Sequence, residues 1–159
     1  MIDADDRAYL ARCVDLAEQT LARGNEPFGS ILVEGGRIVA EAVNKVGNGD
    51  HTQHPEFELA RWAATNLPAE RRPRATVYTS GEHCPMCSAA HAWAGLGRIV
   101  YASSTAQLTG WRADLGLPPG PVRPLPITDI APDVPVDGPD EELADRVHEL
   151  HRRHARSHR

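Results

Sequence analysis

Four residues near the middle of the chain have the types and the spacing of a mononuclear metal site. His54 stands two positions before Glu56, and Cys84 and Cys87 follow later as a Cys-x-x-Cys pair. A catalytic zinc is held by three protein ligands and keeps a fourth position for water or substrate. We expect His54, Cys84 and Cys87 to be the ligands, and Glu56 to be the catalytic base beside them.

The positions of these residues in predicted helices suit this chemistry. Two cysteines three positions apart at the start of a helix share one face, and the positive end of the helix lowers the pKa of a thiol. Two thiolates cancel the formal charge of the metal, so we infer that its water needs a positioned base to lose a proton. A base of this kind contributes about two to four orders of magnitude in rate. The alternative is a closed, structural zinc site in which His51 or His83 supplies a fourth ligand.

Length and composition limit the class of protein that carries this site. The 159 residues, 41% of them hydrophobic, suffice for a single domain over residues 1–159 with one core. No apolar run is long enough to cross a bilayer, and the acidic start does not resemble a secretory signal. The three cysteines fit a reducing compartment better than a disulfide framework. We therefore expect a cytoplasmic protein without membrane contact.

The net charge of -5 gives no general attraction to phosphate backbones. A nucleic-acid partner would therefore need a local basic patch.

Helical and extended patterns alternate along the first two thirds of the chain. The apolar spacing predicts helices at residues 6–21 and 55–67, a hairpin at 28–43, and strands at 75–79 and 98–102. Asp3 is the expected cap of the first helix, and Cys13 is expected in its buried stripe. A further helix opened by Cys84 lies between the last two strands. Strand, helix and strand in this order predict parallel pairing in a layered α/β domain.

The last third of the chain is rich in proline, most of all over residues 118–139. We predict an edge strand near residues 122–125 and then an extended surface segment, because proline is confined to sheet edges. A flexible linker is the alternative. A final helix is predicted at residues 140–156, acidic at its start and basic at its end. Because charges interleave its histidines, we expect a solvated helix with a frayed tail at His148, His151, His154 and His158.

At its motifs the chain resembles the cytidine deaminase-like superfamily, in the branch that holds bacterial guanine deaminases, related small-molecule nucleobase deaminases and tRNA adenosine deaminases. The resemblance runs from about Asp6 to Ala102. His54 and Glu56 match the His-x-Glu motif, and residues 80–87 match Ser-x-Glu-Pro-Cys-x-Met-Cys, with His83 where proline is usual. His-x-Glu together with Cys-x-x-Cys is the signature of zinc-dependent nucleobase deaminases.

The resemblance implies a fold, a cofactor and a reaction. The implied fold is a three-layer α/β/α domain with a five-stranded mixed central sheet, usually a homodimer, and the cofactor is one Zn²⁺ per chain. The implied reaction is the hydrolytic loss of ammonia from an amino-substituted aromatic ring. By the same analogy, Glu56 moves a proton to a ring nitrogen and then to the departing amine.

Four further residues are candidates for substrate contact. Asn44 matches the position of a substrate-binding asparagine in the family, and its amide can read a ring edge, although local turn bonding is the alternative. Phe28 lies in a run that resembles the family's first-strand motif and would line the pocket or pack in the core. Trp111 would stack on a flat ring or simply pack. Guanine deaminase-like members carry an acidic residue after the strand that ends here at Ala102, and Asp114 is the nearest candidate, or else a plain surface carboxylate.

Three functions are compatible with these features. The first is a small-molecule deaminase acting on a free nucleobase or a guanine-, isoguanine-, cytosine- or triazine-like ring, because the site is complete and the body shows no extended basic surface. The second is a tRNA adenosine deaminase, which would need basic residues that contact the stem and loop. The third is a non-catalytic, zinc-stabilised binding protein. Glu56 argues against the third, since a structural zinc has no use for a base.

Overall fold

A five-stranded mixed sheet organises the fold. In the computed structural model, which describes residues 1–158, the strand order is β2-β1-β3-β4-β5. Strand β1 pairs antiparallel with β2 and β3, whereas β4 pairs parallel with β3 and β5. The five strands are β1 (Gly29–Glu34), β2 (Arg37–Val43), β3 (Thr76–Gly81), β4 (Ile99–Ser103) and β5 (Val136–Asp137). The predicted hairpin and the predicted parallel strand-helix-strand unit are both confirmed.

Helices cover both faces of this sheet. Within residues 1–158 they are α1 (Ala4–Leu21), α2 (Pro55–Asn66), α3 (Pro85–Ala94), α4 (Thr105–Asp114), α5 (Ile127–Ile130) and α6 (Glu141–Ser157). Successive strand residues point to opposite faces. Ile31 and Tyr78 pack with α1 and α6, whereas Leu32 and Val77 pack with α2 and α3. The predicted three-layer α/β/α architecture is therefore confirmed.

Helix α1 lies unusually close to β1. A Cβ atom placed on Gly29 would be 2.6 Å from the backbone oxygen of Cys13, so only glycine fits there without a shift. Cys13 is fully buried, as its position in the apolar stripe predicted. At the start of the helix, Asp3 caps the Asp6 amide as predicted, and Asp6 returns a bond to the Asp3 amide.

A buried polar cluster joins the start of α1 to the far edge of the sheet. The Asp6 carboxylate accepts hydrogen bonds from Tyr78 Oη at 2.7 Å and from both terminal nitrogens of Arg98 at 2.9 and 3.0 Å. Arg98 also donates to Asp137 Oδ2 in β5 at 2.8 Å. The short edge strand is thus fixed by a side chain from the residue that precedes β4.

The predicted edge strand near residues 122–125 is wrong. The edge strand is Val136–Asp137, and residues 122–125 form an irregular loop. Prolines at positions 121, 124 and 126 remove the amide donors that a ladder would need. The chain after this loop is not a flexible linker, since Ile127 in α5 is buried against Ile99.

Two helices near the end differ from the sequence-based expectation. Helix α4 was not predicted, although Ser104 and Gln107 form a capping box that marks its start. Helix α6 is not a solvated helix with a frayed tail, because Val147, Leu150 and His151 are buried in it. Its buried positions recur at helical spacing between the charged residues. Within residues 1–158, none of the helices combines the length and the apolar character needed to cross a bilayer.

Candidate active site

The side chains of His54, Cys84 and Cys87 meet where α2 and α3 begin. His54 immediately precedes α2 and Cys84 immediately precedes α3, and a proline opens each helix. Nδ1 of His54 lies 3.5 Å from Sγ of Cys84 and 3.6 Å from Sγ of Cys87. A tetrahedral zinc with a nitrogen ligand at about 2.0–2.1 Å and a sulfur ligand at about 2.3 Å separates those two ligand atoms by about 3.5–3.6 Å. The donor set therefore fits a zinc ion.

The alternative of a closed zinc site finds no fourth ligand in this arrangement. Among residues 1–158, the group of metal-ligating side chains contains only His54, Cys84 and Cys87. His51 is exposed, and the buried His83 ring packs edge-on against His91 with 5.3 Å between ring centres. Three protein ligands are the number that a catalytic zinc site uses.

The side chains of Cys84 and Cys87 form a hydrogen bond with each other. A hydrogen bond from Cys87, supported by His54 and opposed by burial, lowers the pKa of the Cys84 thiol to about 4. The hydrogen bond with Cys84 also raises the pKa of His54. The lowered pKa favours the thiolate form of Cys84, which is the form that binds a metal.

Glu56 lies in the first turn of α2 and is only 5% exposed. Its Oε1 atom is 2.9 Å from the Thr79 hydroxyl and 3.1 Å from the Ser30 hydroxyl, both of which can donate to it. The Cys87 thiol also interacts with this carboxylate. Burial, reinforced by the charge of Cys84, raises the pKa of Glu56. Oε1 is thus held in place by hydroxyls of two strands, and the raised pKa favours a carboxyl group that can exchange a proton with a molecule in the adjoining cavity.

A cavity of about 220 Å³ opens in front of Glu56 and the His54–Cys84 pair. Its other walls are the ends of β1 and β2, one face of α4, and the proline-rich loop over residues 120–124. Mostly apolar walls with a few polar groups are typical of small-molecule sites. Two of the four residues expected to contact substrate, Phe28 and Asn44, line this cavity.

Asn44 forms the local turn bond and also lines the cavity. Its Oδ1 atom accepts a hydrogen bond from the Val46 amide at 3.1 Å, which is the local turn bond. Because Oδ1 faces that donor, the other side-chain atom is the Nδ2 amide. No described residue accepts a bond from Nδ2, although Asn44 is 2% exposed and lines the cavity. This amide is available to a ring carbonyl or ring nitrogen.

Two neighbouring residues fix the position of the Phe28 ring at the cavity wall. Its ring meets the buried ring of His151 edge-on with 5.1 Å between centres. On another side it lies so close to Gly81 that a Cβ atom there would approach Phe28 Cε1 to 3.1 Å. A flat apolar ring in a fixed position is a surface on which a planar heterocycle can stack.

Trp111 and Asp114 do not line this cavity. The Trp111 ring stacks on His148 at 4.4 Å between α4 and α6, and Asp114 is exposed at the end of α4. We therefore leave both residues out of the proposed substrate contacts.

Sequence reasoning missed the residues that hold the site together. Ser30 and Thr79 sit opposite each other where β1 pairs with β3, and both reach Glu56. Glu82 accepts hydrogen bonds from the amides of Thr105 and Ile127 at 2.9 and 2.8 Å, which ties α4 and α5 to the end of β3. Two features of the sequence could have identified these residues. Ser30 and Thr79 are hydroxyl residues within apolar strands, and Glu82 stands two positions before Cys84.

A family model for the zinc-binding region of cytidine and deoxycytidylate deaminases matches residues 3–103. The chain belongs to this deaminase family. The match spans the metal-ligand group and Glu56, confirms the resemblance seen in the sequence, and identifies zinc as the cofactor.

Individual relatives of this chain carry different substrate names. The chain is 37% identical over 106 residues to a probable cytosine deaminase from Schizosaccharomyces pombe, covering 65% of this chain and 63% of that protein. It is 38% identical over 97 residues to a guanine deaminase from Bacillus subtilis, with coverages of 60% and 62%. It is 37% identical over 82 residues to a tRNA-specific adenosine deaminase from Agrobacterium fabrum, with coverages of 51% and 54%. The chain thus aligns with less than two thirds of each relative, and the three names point to three different rings.

Solved structures extend the likeness to the rest of the fold. The Bacillus subtilis guanine deaminase superposes with a TM-score of 0.58 at 32% identity, covering 76% of this chain and 82% of that chain. A guanine deaminase from Nitrosomonas europaea gives a TM-score of 0.71 at 20% identity, covering 98% and 86%. At that identity the second likeness shows a shared fold.

Proposed function

We propose that this protein is a zinc-dependent hydrolytic deaminase that releases ammonia from the exocyclic amine of a nucleobase-like ring. The minimal substrate is a free base or a related heterocycle of guanine, isoguanine, cytosine or triazine type. The environment of Glu56 carries this proposal. A buried carboxylate, anchored through Oε1 by the hydroxyls of two strands, stands beside a three-ligand donor set and lines a cavity with mostly apolar walls.

The residues of the chain have distinct tasks in this reaction. His54, Cys84 and Cys87 hold the zinc, which when bound lowers the pKa of a water molecule and so supplies a nucleophile near neutral pH. Glu56 takes up one proton of the attacking water as the new carbon–oxygen bond forms, and delivers it to a ring nitrogen. It then moves the second proton, from the added hydroxyl, to the amine, so that the carbon–nitrogen bond breaks, ammonia leaves and a carbonyl remains. Ser30 and Thr79 hold Oε1 of Glu56 and so fix the orientation of the carboxylate at the cavity.

Binding and orientation fall to the cavity walls. Nδ2 of Asn44 donates to an acceptor on the ring edge, and the Phe28 ring provides a flat apolar wall. Leu108 and Val122 add apolar surface that excludes bulk water. Specificity for one ring would come from such buried donors and acceptors, since an unpaired polar group in the site is costly.

The charges of α6 favour a small molecule over tRNA. The basic residues near the end of the chain were the candidates for RNA contact. In the structure Arg153 pairs with Glu18 at 2.9 Å, and Arg152 and Arg156 pair with Glu149 at 3.5 and 2.9 Å. These cations are therefore partly neutralised within the protein. A non-catalytic binding role is disfavoured by the buried Glu56 beside three metal ligands.

We also propose that the protein is a homodimer. Trp93 on α3 is 91% exposed. An exposed large apolar side chain is typical of a surface that binds another protein, and a second copy of this chain would cover it. The Trp93→Ser variant should shift the mass measured by size-exclusion chromatography with light scattering from dimer to monomer. A monomeric wild-type protein at micromolar concentration would contradict this proposal.

The function is tested by ammonia release from the zinc-loaded protein with guanine, isoguanine, cytosine, ammeline, their nucleosides where these exist, and a tRNA anticodon stem-loop. The Glu56→Gln variant is the matched blank, because it keeps the shape of the side chain. Release from at least one small ring by wild type and none by the variant is expected. Turnover of the stem-loop alone would replace this proposal with tRNA deamination.

A further inference from the structure

Glu26 places a half-buried carboxylate on the wall of the catalytic cavity. Two other carboxylates line this cavity, and both already have fixed contacts. Glu56 is bound through Oε1 by two strand hydroxyls, and both oxygens of Glu82 accept hydrogen bonds from backbone amides. The side chain of Glu26 forms no hydrogen bond and no ion pair within residues 1–158. Its oxygens are therefore free to bind a molecule in the cavity.

The backbone on either side of Glu26 is fixed to the turn that holds Asn44. The Asn44 amide donates to the Phe28 carbonyl at 3.0 Å, and the Gly47 amide donates to Oδ1 of Asn25 at 2.9 Å. The Phe28 amide in turn donates to the Glu26 carbonyl at 2.9 Å. A Cβ atom on Gly47 would lie 2.6 Å from Oδ1 of Asn25, so the two segments are in close contact. The carboxylate of Glu26 thus extends from a backbone that is held relative to Asn44.

Glu26 and Asn44 offer opposite hydrogen-bonding groups to a ring. Nδ2 of Asn44 donates, whereas a carboxylate accepts. A ring that covers Glu26 removes water from the carboxylate, which costs free energy unless the ring supplies a donor in exchange. An N–H group supplies a charge-assisted hydrogen bond, whereas a carbonyl oxygen in the same place repels the carboxylate. Rings of similar size and shape are therefore distinguished by the donors that they carry.

We propose that Glu26 is a specificity-determining residue, which accepts a hydrogen bond from a second N–H donor of the substrate ring besides the amine that leaves. The inference rests on the proposed function, because it places the ring before Glu56 and one of its acceptors at Asn44. Glu26 favours rings that carry a further amino group. It disfavours rings that present a carbonyl in the place of that group.

The test compares rings that differ in one substituent. Ammonia release by the zinc-loaded protein is measured for ammeline against ammelide, and for 2,4-diaminopyrimidine against cytosine. The first ring of each pair has an amino group where the second has a carbonyl, and both rings keep an amine that can leave. In a pair that turns over, kcat/KM for the amino ring should exceed that for the carbonyl ring by about tenfold or more, as one charge-assisted hydrogen bond would produce. A ratio near or below one would overturn the proposal.

Variants assign the preference to the carboxylate. Glu26→Gln keeps an accepting oxygen but loses the charge, and Glu26→Leu loses the acceptor as well. We expect the ratio to fall stepwise, and by about tenfold in Glu26→Leu, mainly through a higher KM for the amino ring. With the carbonyl ring, kcat/KM should stay the same or rise, whereas general damage to the fold would lower it. A Glu26→Leu enzyme with the wild-type ratio would contradict the proposed role.

Glu70→Leu is the matched control. Glu70 is exposed, forms no ion pair among the described residues, and precedes β3 at the end opposite to the site. Its replacement should leave the ratio of wild type unchanged. A ratio that falls equally in this variant would show that the loss of any glutamate charge produces the effect, and would overturn the assignment to Glu26.

A binding measurement separates failure of this inference from failure of the proposed function. The absence of ammonia release from every ring would count against the proposed function. Calorimetric titration of zinc-loaded Glu56→Gln protein with the four rings then tests Glu26 alone. Dissociation constants at least about tenfold lower for the amino rings, with the difference lost in Glu26→Leu/Glu56→Gln, would support the proposal. Equal constants, no binding of any of the four rings, or a difference that the double variant keeps would overturn it.

Discussion

The Thr79 hydroxyl lies 2.9 Å from Oε1 of Glu56, so the central strand β3 positions a carboxylate that belongs to helix α2. Ser30 on the neighbouring strand lies 2.9 Å from the same hydroxyl and opposite Thr79 in the strand pairing. Two rigid strands therefore fix the orientation of the proposed base. Because Thr79 contacts Glu56 and is not one of the metal ligands, its replacement can measure the contribution of the sheet to catalysis without a change in metal binding.

Replacement of Thr79 by valine should impair catalysis without loss of zinc. Valine keeps the shape of the side chain but removes the hydrogen bond that holds Oε1, so we expect kcat to fall about tenfold. The Thr79→Ser control keeps the hydroxyl and should stay within about threefold of wild type. Steady-state kinetics with zinc analysis of each variant provide the measurement. A Thr79→Val enzyme with wild-type kcat would show that Glu56 needs no support from β3.

Variants of Asn44 separate substrate contact from turn formation. Asn44→Asp keeps an oxygen that accepts from the Val46 amide but removes the Nδ2 donor, whereas Asn44→Ala removes both. We expect kcat/KM to fall about tenfold to a hundredfold in both variants, with zinc content unchanged. If the aspartate variant retains wild-type kcat/KM while the alanine variant does not, Asn44 acts only in the turn.

The Asp6 carboxylate should stabilise the fold at neutral pH but not in acid. Hydrogen bonds from Arg98, with that of Tyr78, hold the pKa of Asp6 well below its usual range despite the opposing effect of burial. A lowered folded-state pKa gives stability that is complete above the unfolded pKa of about 3.9 and is lost as pH falls towards the folded value. We expect Asp6→Asn to lower the free energy of unfolding by about 1–3 kcal/mol at pH 7.

Urea denaturation of wild type and Asp6→Asn between pH 7 and pH 2.5 measures this contribution. The two curves should converge as the pH falls below about 4. A difference of constant size over the whole range would mean that the carboxylate charge contributes nothing and that the variant only loses packing.

His151 should make the protein less stable in mild acid. Burial, with the nearby cations of His154, Arg112 and His148, lowers the pKa of His151 to about 3. The unfolded chain takes up a proton near pH 6.5 whereas the folded chain does not, so stability falls as the pH drops below about 6.5. The His151→Leu variant should therefore lose less stability than wild type between pH 7 and pH 5.

Thermal or urea unfolding at pH 7, 6 and 5 tests this difference in slope. His158→Leu is the control, because His158 is exposed at the end of α6. Its replacement should not change how the stability of the protein depends on pH. Parallel curves for wild type and His151→Leu would show that the burial of His151 does not govern the acid sensitivity.

The sequence was sufficient where a local pattern decides the structure. The hairpin, the strand-helix-strand unit and the ligand set follow from period, turn residues and motif spacing. The burial of His151 could not be predicted in the same way, because it depends on contacts with Phe28 and Trp111 from distant elements. Similarly, β5 has only two residues, and its position depends on the bond from Arg98 to Asp137.

The hydrogen bonds that position Glu56 could likewise not be predicted from a local sequence pattern. His54 and Glu56 are recognisable because they share one short motif. Ser30 and Thr79 become relevant only when the pairing of β1 with β3 places them opposite each other. Strand register depends on the whole hydrophobic pattern and on turn geometry, and no motif in this chain encodes it.

The central claim is that Glu56 is the proton-transferring base of a zinc-dependent deaminase. It is tested by measuring zinc content and ammonia release together for wild type, Glu56→Gln and Cys87→Ala, with the best substrate of wild type. We predict one zinc per chain but at least a hundredfold lower turnover for Glu56→Gln, in line with the loss of about two to four orders of magnitude expected without a general base. Cys87→Ala should lose both zinc and turnover. Wild-type turnover by Glu56→Gln, with its zinc retained, would contradict the account.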